Sequence, residues 1–530
     1  MTGGPAAPGW PPAHLPARAP SPTGGVAGGI RVVAVSQSPA AVIVLAAGQG
    51  TRMRSSLPKV LHAIGGRSLL GHVLAAGRSL GPDHLAVVVR HDRERVAAHV
   101  RELDPAAIVA DQDEVPGTGR ATQCALAALP ADLSGPVVVL AGDVPLLDEA
   151  TLRGLVAEHA AGNAVTILST DAPDPTGYGR IVRDGDGQVT GIVEHRDASA
   201  AQLEITEINS AVYVFDAAIL RSGLARIGTD NAQGELYLTD VIGQARADGG
   251  RVAAVRTLDA VVAEGVNDKA QLATLGAELN RRLLAAHMRA GVTIVDPTSV
   301  WVDVGVDLAP DCEILPGVQL HGATSVATGA RIGPDTTLTD TRVGAGAEVV
   351  RSHVLDSRIE AGARVGPYAY LRQRVVVGPG AKIGTFVEAK NTRLDDGAKI
   401  PHLSYMGDAT IGAGANVGAG SITANYDGVH KHPTVVGPQA RAGSNTMFVA
   451  PVELGAGAYT GAGTTLREDV PAGALAVSTA GEHIIEGWTR SRRPGTPSAD
   501  AAAAADAVDA ADAADTAAAA DPALTPPDPH

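Results

Sequence analysis

The stretch IEAGARVGPYAYLRQRVVVGPGAKIG, residues Ile359–Gly384, decides the fold of half this chain. An aliphatic residue stands at every sixth position: Ile359, Val365, Leu371, Val377 and Ile383. The following position is often glycine, as in Val365-Gly366, Val377-Gly378 and Ile383-Gly384, and the fifth position is usually small. The same period runs upstream through Ile314, Leu320, Val326 and Ile332, and downstream through Val436, Ala442, Phe448, Leu454, Thr460 and Leu466. A repeat this sustained outranks local propensity. Three hexads make the three flat faces of a triangular coil, with the aliphatic residue pointing into the prism and small residues at the corners. The span 314–466 then holds roughly eight or nine coils, each contacting only its neighbours. Thr423–Val435 breaks the period and is expected to loop out, and loops on a rigid scaffold are where function concentrates.

Upstream, residues 269–290 (KAQLATLGAELNRRLLAAHMRA) read as a linker helix with Leu272, Leu275, Leu279 and Leu283 on one stripe. Before it, apolar strands alternate with helix-like stretches: Ala41–Ala46 (AVIVLA), His84–Val89 (HLAVVV) and Pro136–Leu140 (PVVVL). That alternation predicts an α/β domain with a parallel sheet covered on both faces, whose ligands sit beyond the carboxyl ends of the strands. The expected order is a Pro/Gly-rich flexible extension over 1–40, an α/β domain over 41–268, the linker helix over 269–290, the hexad domain over 291–496, and a disordered Ala/Asp-rich tail over 497–530. In that tail Asp at every third position from Asp506 to Asp515 sets like charges together, so at most a transient helix is expected.

Composition narrows the function. Of 530 residues only 3% are aromatic while 63 are glycine, which suits a narrow core. The net charge is −15, and seven of the acids lie after residue 499, so the rest of the chain carries about −8. Without a basic surplus, non-specific binding to nucleic acid or to an acidic membrane is excluded. Two cysteines far apart, Cys124 and Cys312, build neither a disulfide framework nor a thiolate metal site, and a reducing compartment fits. No apolar run is long enough to span a membrane, and the N-terminus lacks the order of a signal peptide, so a cytoplasmic protein is expected.

Two motifs in the α/β domain carry chemistry. LAAGQGTRM (Leu45–Met53) follows a strand, and its small residues let backbone N–H groups approach a triphosphate. Arg52, and Lys59 after Pro58, add positive charge for the attacked phosphate and the leaving pyrophosphate. AGDVPLL (Ala141–Leu147) follows another strand and places Asp143 where a carboxylate can hold Mg²⁺ against a nucleotide phosphate. In the hexad domain, PHLSYMGD (Pro401–Asp408) carries His402, and NYDGVHK (Asn425–Lys431) follows in the stretch that breaks the period.

The hexad pattern resembles the left-handed parallel β-helix of hexapeptide-repeat acyltransferases, an exception to the right-handed crossover rule. The two motifs of the α/β domain, with GTG (Gly117–Gly119), GYGR (Gly177–Arg180), IVEH (Ile192–His195), EINS (Glu207–Ser210) and EGVN (Glu264–Asn267), resemble sugar-1-phosphate nucleotidyltransferases. Their order, with the hexapeptide domain behind them, is similar to the family of bacterial bifunctional N-acetylglucosamine-1-phosphate uridylyltransferase/glucosamine-1-phosphate N-acetyltransferases, over about residues 41–490.

The resemblance implies two reactions: acetyl transfer from acetyl-CoA to glucosamine 1-phosphate, then attack of N-acetylglucosamine 1-phosphate on UTP with release of pyrophosphate, giving UDP-N-acetylglucosamine for cell-wall synthesis. In the first domain it implies nucleotide contacts from Leu45, Ala46, Ala47, Gly48, Arg52, Gln112, Gly117, Thr118, Ala141 and Gly142 and a phosphate contact from Lys59. Gly179, Glu194 and Asn209 would hold the sugar, and Asp143 and Asn267 the Mg²⁺. In the second domain His402 would be the general base, since an ammonium is not nucleophilic and imidazole titrates near neutrality. Arg372, Lys390, Tyr405 and Lys431 would grip the sugar phosphate and Asn416 the sugar, while Ala419, Asn425, Tyr426, Ser444 and Ala462 would line the acetyl-CoA channel. A homotrimer with sites between chains is expected. The alternative is a monofunctional sugar nucleotidyltransferase whose β-helix only oligomerises or regulates. The chain departs from the family pattern twice. Leu371–Arg374 reads LRQR where Pro-Gly often follows LR, and Thr479 stands where some relatives carry an arginine reaching towards coenzyme A.

Overall fold

The computed structural model describes residues 38–478 and 484–519. Most of the 1–40 extension, Thr479, and the tail from residue 520 onward lie outside the described residues. The chain divides into two compact units between Leu279 and Asn280.

The first unit is built on a nine-stranded sheet. Its strands are β1 (Ala41–Leu45), β2 (His84–Val89), β3 (Ile108–Asp111), β4 (Pro136–Ala141), β5 (Val165–Asp171), β6 (Arg180–Arg183), β7 (Val189–Val193), β8 (Glu207–Asp216) and β9 (Val252–Arg256). The main path runs β9-β5-β8-β4-β1-β2-β3, with the β6–β7 hairpin attached to β8. Successive side chains of a strand point to opposite faces, so a strand buried on both reads as a continuous apolar run. Val42 and Val44 of β1 pack with Leu70, Val73 and Leu152 on one face, and Ile43 packs with Ala121, Ala125 and Leu220 on the other.

The three strands singled out from the sequence pair in parallel, β1 with both β2 and β4. The sheet as a whole is mixed, which corrects the expectation of a parallel sheet: β8 runs antiparallel to β4 and to β5. A parallel return needs a crossover of a dozen or more residues, usually a helix. Here the chain between β5 and β8 forms the β6–β7 hairpin instead, so β8 comes back antiparallel.

Glu207 ties these strands together. Its carboxylate accepts from Arg183 on β6 (2.7 and 2.8 Å), Arg256 on β9 (2.7 Å) and Ser169 on β5 (2.7 Å). Burial pushes the carboxyl up, but the two guanidinium groups and the hydroxyl outweigh it and hold it at about 2, below its ordinary 4.5. Stability from a depressed carboxyl is fully present above the unfolded value and is lost as pH falls through the folded one. The first unit is therefore expected to lose roughly 3 kcal/mol between about pH 4.5 and pH 2 through Glu207. Denaturant melts of the parent and of Glu207→Gln across that range check this: the acid-dependent part should shrink in the variant, which starts out less stable.

The second unit is a solenoid of three parallel ladders with eleven, ten and nine strands. The inner rows are the hexad aliphatics in register: Ile314, Ile332, Val349, Val365, Ile383 and Ile400 on the first face; Leu320, Leu338, Val354, Leu371, Ala389 and Met406 on the second; and Val326, Val343, Ile359, Val377, Leu394 and Ile411 on the third. This is a left-handed parallel β-helix with one continuous core, in which Phe448 is the only aromatic side chain among the described residues. It begins earlier than the hexads from Ile314 suggest, with Ile294, Val302 and Leu308 forming a first coil.

The coils are not all three full hexads. Arg358 pairs with Val376, but Lys382 pairs with Lys399, one residue short. The missing residue is lost at corners that step by five, such as Leu338 to Val343, Val354 to Ile359, Ala389 to Leu394 and Met406 to Ile411. Each of these turns through an Asp or Asn with positive φ: Asp340, Asp356, Asn391 and Asp408. A short polar side chain that can bond locally tolerates this region better than a branched one. The excursion expected over Thr423–Val435 is shorter than that: Thr423 and Thr434 are buried strand residues, and only Asn425–Pro433 leaves the coil.

Two further elements differ from or refine the sequence reading. Lys269–Arg289 is helical; Leu275 is buried in the first unit's core and Leu284, off the predicted stripe, in the second's. Pro497–Ala519 forms one helix where a disordered tail was expected. Alanine is the strongest helix former, and its run outweighs the small repulsion between aspartates three apart. Arg490 of the preceding short helix pairs with Asp506 at 2.6 Å.

Candidate active sites

In the first unit β1 and β4 end side by side, and Gly142 N–H donates to Leu45 C=O at 2.9 Å. LAAGQGTRM and AGDVPLL therefore leave the same carboxyl edge. Gly50 turns the first loop with φ +65°, and a Cβ there would lie 2.5 Å from Lys59 Cβ, so glycine lets the loop rest on the lysine stem. Lys59 Nζ donates to Asp143 Oδ2, with both side chains mostly buried. Arg52 donates to Asn267 Oδ1 at 2.7 Å, and Val266 N–H to Asp143 C=O at 2.9 Å. Together Arg52, Asp143, Tyr178, Asn209 and Asn267 wall a cavity of about 230 Å³.

Asn209 N–H donates to Gly179 C=O at 2.9 Å, and Glu194 Oε2 lies 3.4 Å from where a Cβ on Gly179 would stand, so the three residues predicted to hold the sugar meet. Burial pushes the Glu194 carboxyl up, and Thr239 Oγ1 donates to it at 3.1 Å. Glu194 and Arg52 share a second cavity of about 530 Å³. The carboxamide of Asn209 is already bonded, to Tyr213 Oη at 2.7 Å and to Ala211 N–H at 3.1 Å.

Ala46 is buried, its N–H donating to Val88 C=O at 2.9 Å, with Ala47 half-buried and Gly48 open to solvent beyond it. Gln112, Gly117 and Thr118 form a brace away from both cavities. Gln112 donates to Val115 C=O (2.9 Å) and Gly117 C=O (3.3 Å), Gly117 lies against Leu236, and Thr118 Oγ1 accepts from Leu238 N–H (3.1 Å). Sequence reasoning missed Thr239, and also Tyr178 and Gln271 in the cavity wall. Tyr178 stands inside the GYGR motif that flagged the region, whereas Thr239 carries no local signal.

Asp143 and Asn267 present hard oxygen donors on one cavity, each already touched by a cation, Lys59 or Arg52. Mg²⁺ is bound through one or two protein oxygens and completes its shell with water and substrate phosphates. The all-oxygen donor set fits such an ion, and among the described residues no cluster of three His, Cys, Asp or Glu offers another site.

In the second unit His402 ends the strand Lys399–His402 at the corner between the first and second faces, with its side chain exposed. The same corner repeats coil by coil. Gly420 N–H donates to His402 C=O (3.3 Å), Asn445 N–H to Ala419 C=O (2.7 Å), and Gly463 N–H to Ser444 C=O (2.8 Å). His402, Ala419, Ser444 and Ala462 thus form one column on consecutive coils. In the two preceding coils the corner carries Phe386 and Tyr368, stacked at 5.4 Å, and with Leu403 they make an exposed apolar ridge.

Arg372, Lys390 and Tyr405 lie on the second face, on adjacent strands. Arg372 pairs with Glu388 at 2.8 Å. Gly407 clears space for Tyr405: a Cβ there would meet its Oη at 2.5 Å. Lys431 stands beside Lys390 and pushes that ammonium's pKa down. Asn416 lies on the first face, apart from these three. Asn425 is buried, donating to Asp408 Oδ2 at 2.6 Å, while Tyr426 is exposed. Asp427 organises the loop: it accepts from His430 N–H (2.6 Å), His432 Nε2 (2.7 Å) and Val429 N–H (2.7 Å), which hold it at about 2.

Residues 42–204 match the family model of the MobA-like NTP transferase domain. Over 465 residues the chain is 60% identical to the bifunctional protein GlmU of Kineococcus radiotolerans, covering 88% of this chain and 94% of that one. It is 57% identical to the bifunctional protein GlmU of Micrococcus luteus over 483 residues, covering 88% and 97%. With the GlmU of Pseudarthrobacter chlorophenolicus the identity is 58% over 469 residues, covering 88% and 95%.

Proposed function

The chain belongs to the family of the bifunctional GlmU proteins, and on that premise we propose how its residues divide two reactions. It makes UDP-N-acetylglucosamine, a precursor in peptidoglycan synthesis, as acetyltransferase on glucosamine 1-phosphate and as uridylyltransferase on the N-acetylated product. Its substrates are small molecules, with acetyl-CoA and UTP as co-substrates.

In uridylyl transfer the product's phosphate oxygen forms a bond to the α-phosphorus of UTP as the bond to pyrophosphate breaks. Little covalent chemistry falls to the protein, so positioning and charge dominate. Arg52 and Lys59 neutralise phosphate oxygens, and Gly179, Glu194 and Asn209 orient the sugar. Asp143 and Asn267 would hold Mg²⁺, which when bound supplies further charge neutralisation between them and the phosphates. In acetyl transfer His402 takes a proton from the sugar amine as it attacks the thioester carbonyl, the C–S bond breaks, and that proton passes to the leaving thiolate. Arg372, Lys390, Tyr405 and Lys431 hold the sugar phosphate, and acetyl-CoA runs along the column Ala419–Ser444–Ala462 beside the loop bearing Asn425 and Tyr426.

One observation carries the acetyltransferase reading against a β-helix that only oligomerises: Lys390 and Lys431 stand side by side. A purely structural surface gains nothing from adjacent ammonium groups, whereas a phosphate site needs them. A homotrimer is supported by the exposed ridge of Tyr368, Phe386 and Leu403, and by Asn416 lying on a different face from Tyr405, so that a second chain completes the site. A cytoplasmic location is supported by the free thiols of Cys124 and Cys312. Among the described residues no helix is long and apolar enough to cross a membrane.

Assays of thiol release and of pyrophosphate release on the purified protein test the reading. Both activities are expected, and a chelator should abolish uridylyl transfer while acetyl transfer continues. Absence of acetyl transfer overturns the two-reaction reading.

A further inference from the structure

At the corner between the second and third faces the chain turns through two consecutive residues with positive φ, Gln373 (42°) and Arg374 (58°). Proline cannot adopt the first, so the LRQR turn differs from the family's Pro-Gly turn. Glycine suits the second and arginine does not. The backbone here bears a side chain it disfavours, and that side chain lines a cavity of about 400 Å³ shared with Lys431, His432, Asp408 and Arg393.

The other charges in that cavity are already engaged. Arg393 donates to Asp395 at 2.8 Å, both oxygens of Asp408 accept carboxamide N–H groups at 2.6 Å, from Asn391 and Asn425, and His432 is bonded to Asp427 at 2.7 Å. Among the described residues Arg374 makes no side-chain hydrogen bond or ion pair. Lys431 faces Lys390, another cation, across the same corner. Two lysines and an arginine thus gather around a single unpaired carboxylate, Asp408, whose charge acts on Lys390, and the corner keeps a surplus of positive charge.

We propose that Arg374 adds a subsite beside Lys431 to the sugar-phosphate site already read, a further contact for the phosphomonoester dianion of glucosamine 1-phosphate. The inference rests on the acetyltransferase reading above and deepens it. Coenzyme A also carries a phosphomonoester, so the chemistry alone fits either substrate. The sugar phosphate is favoured because Lys431 belongs with Lys390 and Arg372, whereas the acetyl-CoA column runs along the other corner, from His402 to Ala462.

The test is steady-state acetyl transfer by Arg374→Gly, Arg374→Lys and Lys390→Met, with both KM values measured at low and at high salt. Arg374→Gly installs the residue the backbone prefers, so its melting temperature should equal or exceed the parent's, and misfolding cannot explain a loss. Its KM for glucosamine 1-phosphate should rise about tenfold, with kcat and the KM for acetyl-CoA little changed and a weaker salt dependence. Arg374→Lys should recover part of that. An unchanged sugar-phosphate KM in Arg374→Gly, with the expected rise in Lys390→Met, overturns the subsite and leaves the reading of the unit intact. A rise confined to acetyl-CoA overturns it in favour of the coenzyme. If neither variant alters acetyl transfer while uridylyl transfer persists, the subsite and the site reading fail together.

Discussion

Replacing His402 by alanine should lower acetyl transfer roughly 10²–10⁴-fold, the usual cost of losing a general base, and leave uridylyl transfer untouched. The residue suits the substitution because its side chain is exposed and no core contact depends on it. Its carbonyl, which accepts from Gly420 N–H and Ser404 Oγ, stays in place, so the coil should keep its register. Loss should fall on kcat rather than on either KM. Raising the pH should restore little, because the missing group cannot be replaced by solvent held at the same place. Full acetyl transfer by His402→Ala would show that the base lies elsewhere.

Asp143→Asn should produce the opposite pattern, with uridylyl transfer down roughly 10²–10³-fold and acetyl transfer unchanged. The carboxamide keeps an oxygen facing Lys59 but removes the charge that pairs with it and would bind the metal. Raising the Mg²⁺ concentration should recover part of the activity if the main defect is metal affinity. Assayed with pyrophosphate release from N-acetylglucosamine 1-phosphate and UTP, the variant isolates the first site. Together with His402→Ala it gives a double dissociation, which a single shared site could not.

How much of this was legible depended on the range of the determining interaction. The solenoid was readable because every coil repeats one local rule, an inward aliphatic at each sixth position, and Ile383 obeys it without reference to anything distant. The coils shortened at Asp340 or Asn391 obey a second rule, a corner one residue tighter, which appears only as a slipped period. In the α/β unit, β1, β2 and β4 announced themselves as apolar runs because both their faces are buried. The antiparallel β8 did not, since its direction is decided by how the chain before it is used. Asp143 was legible as a candidate because it sits just beyond β4, and Arg52 and Lys59 because they follow the small-residue loop that leaves β1. Thr239 was not, because its hydroxyl reaches Glu194 from 45 residues away in sequence. The helical tail is not legible from the spacing of its aspartates, because the propensity of the alanines between them outweighs that repulsion.

The corner column has a consequence for how the enzyme fails. A solenoid's stability is close to a sum of nearest-neighbour terms, so it melts like a zipper, from its ends inward. The last strand among the described residues, Leu475–Ala476, lies one coil past Ala462, and Ala462, Ser444 and Ala419 follow in that order back towards His402. Fraying from the carboxyl end would therefore dismantle the proposed seat of the coenzyme rung by rung while His402 still stands on intact coils. On the proposed assignment, acetyl donor binding is the first function of the second unit expected to fade on heating.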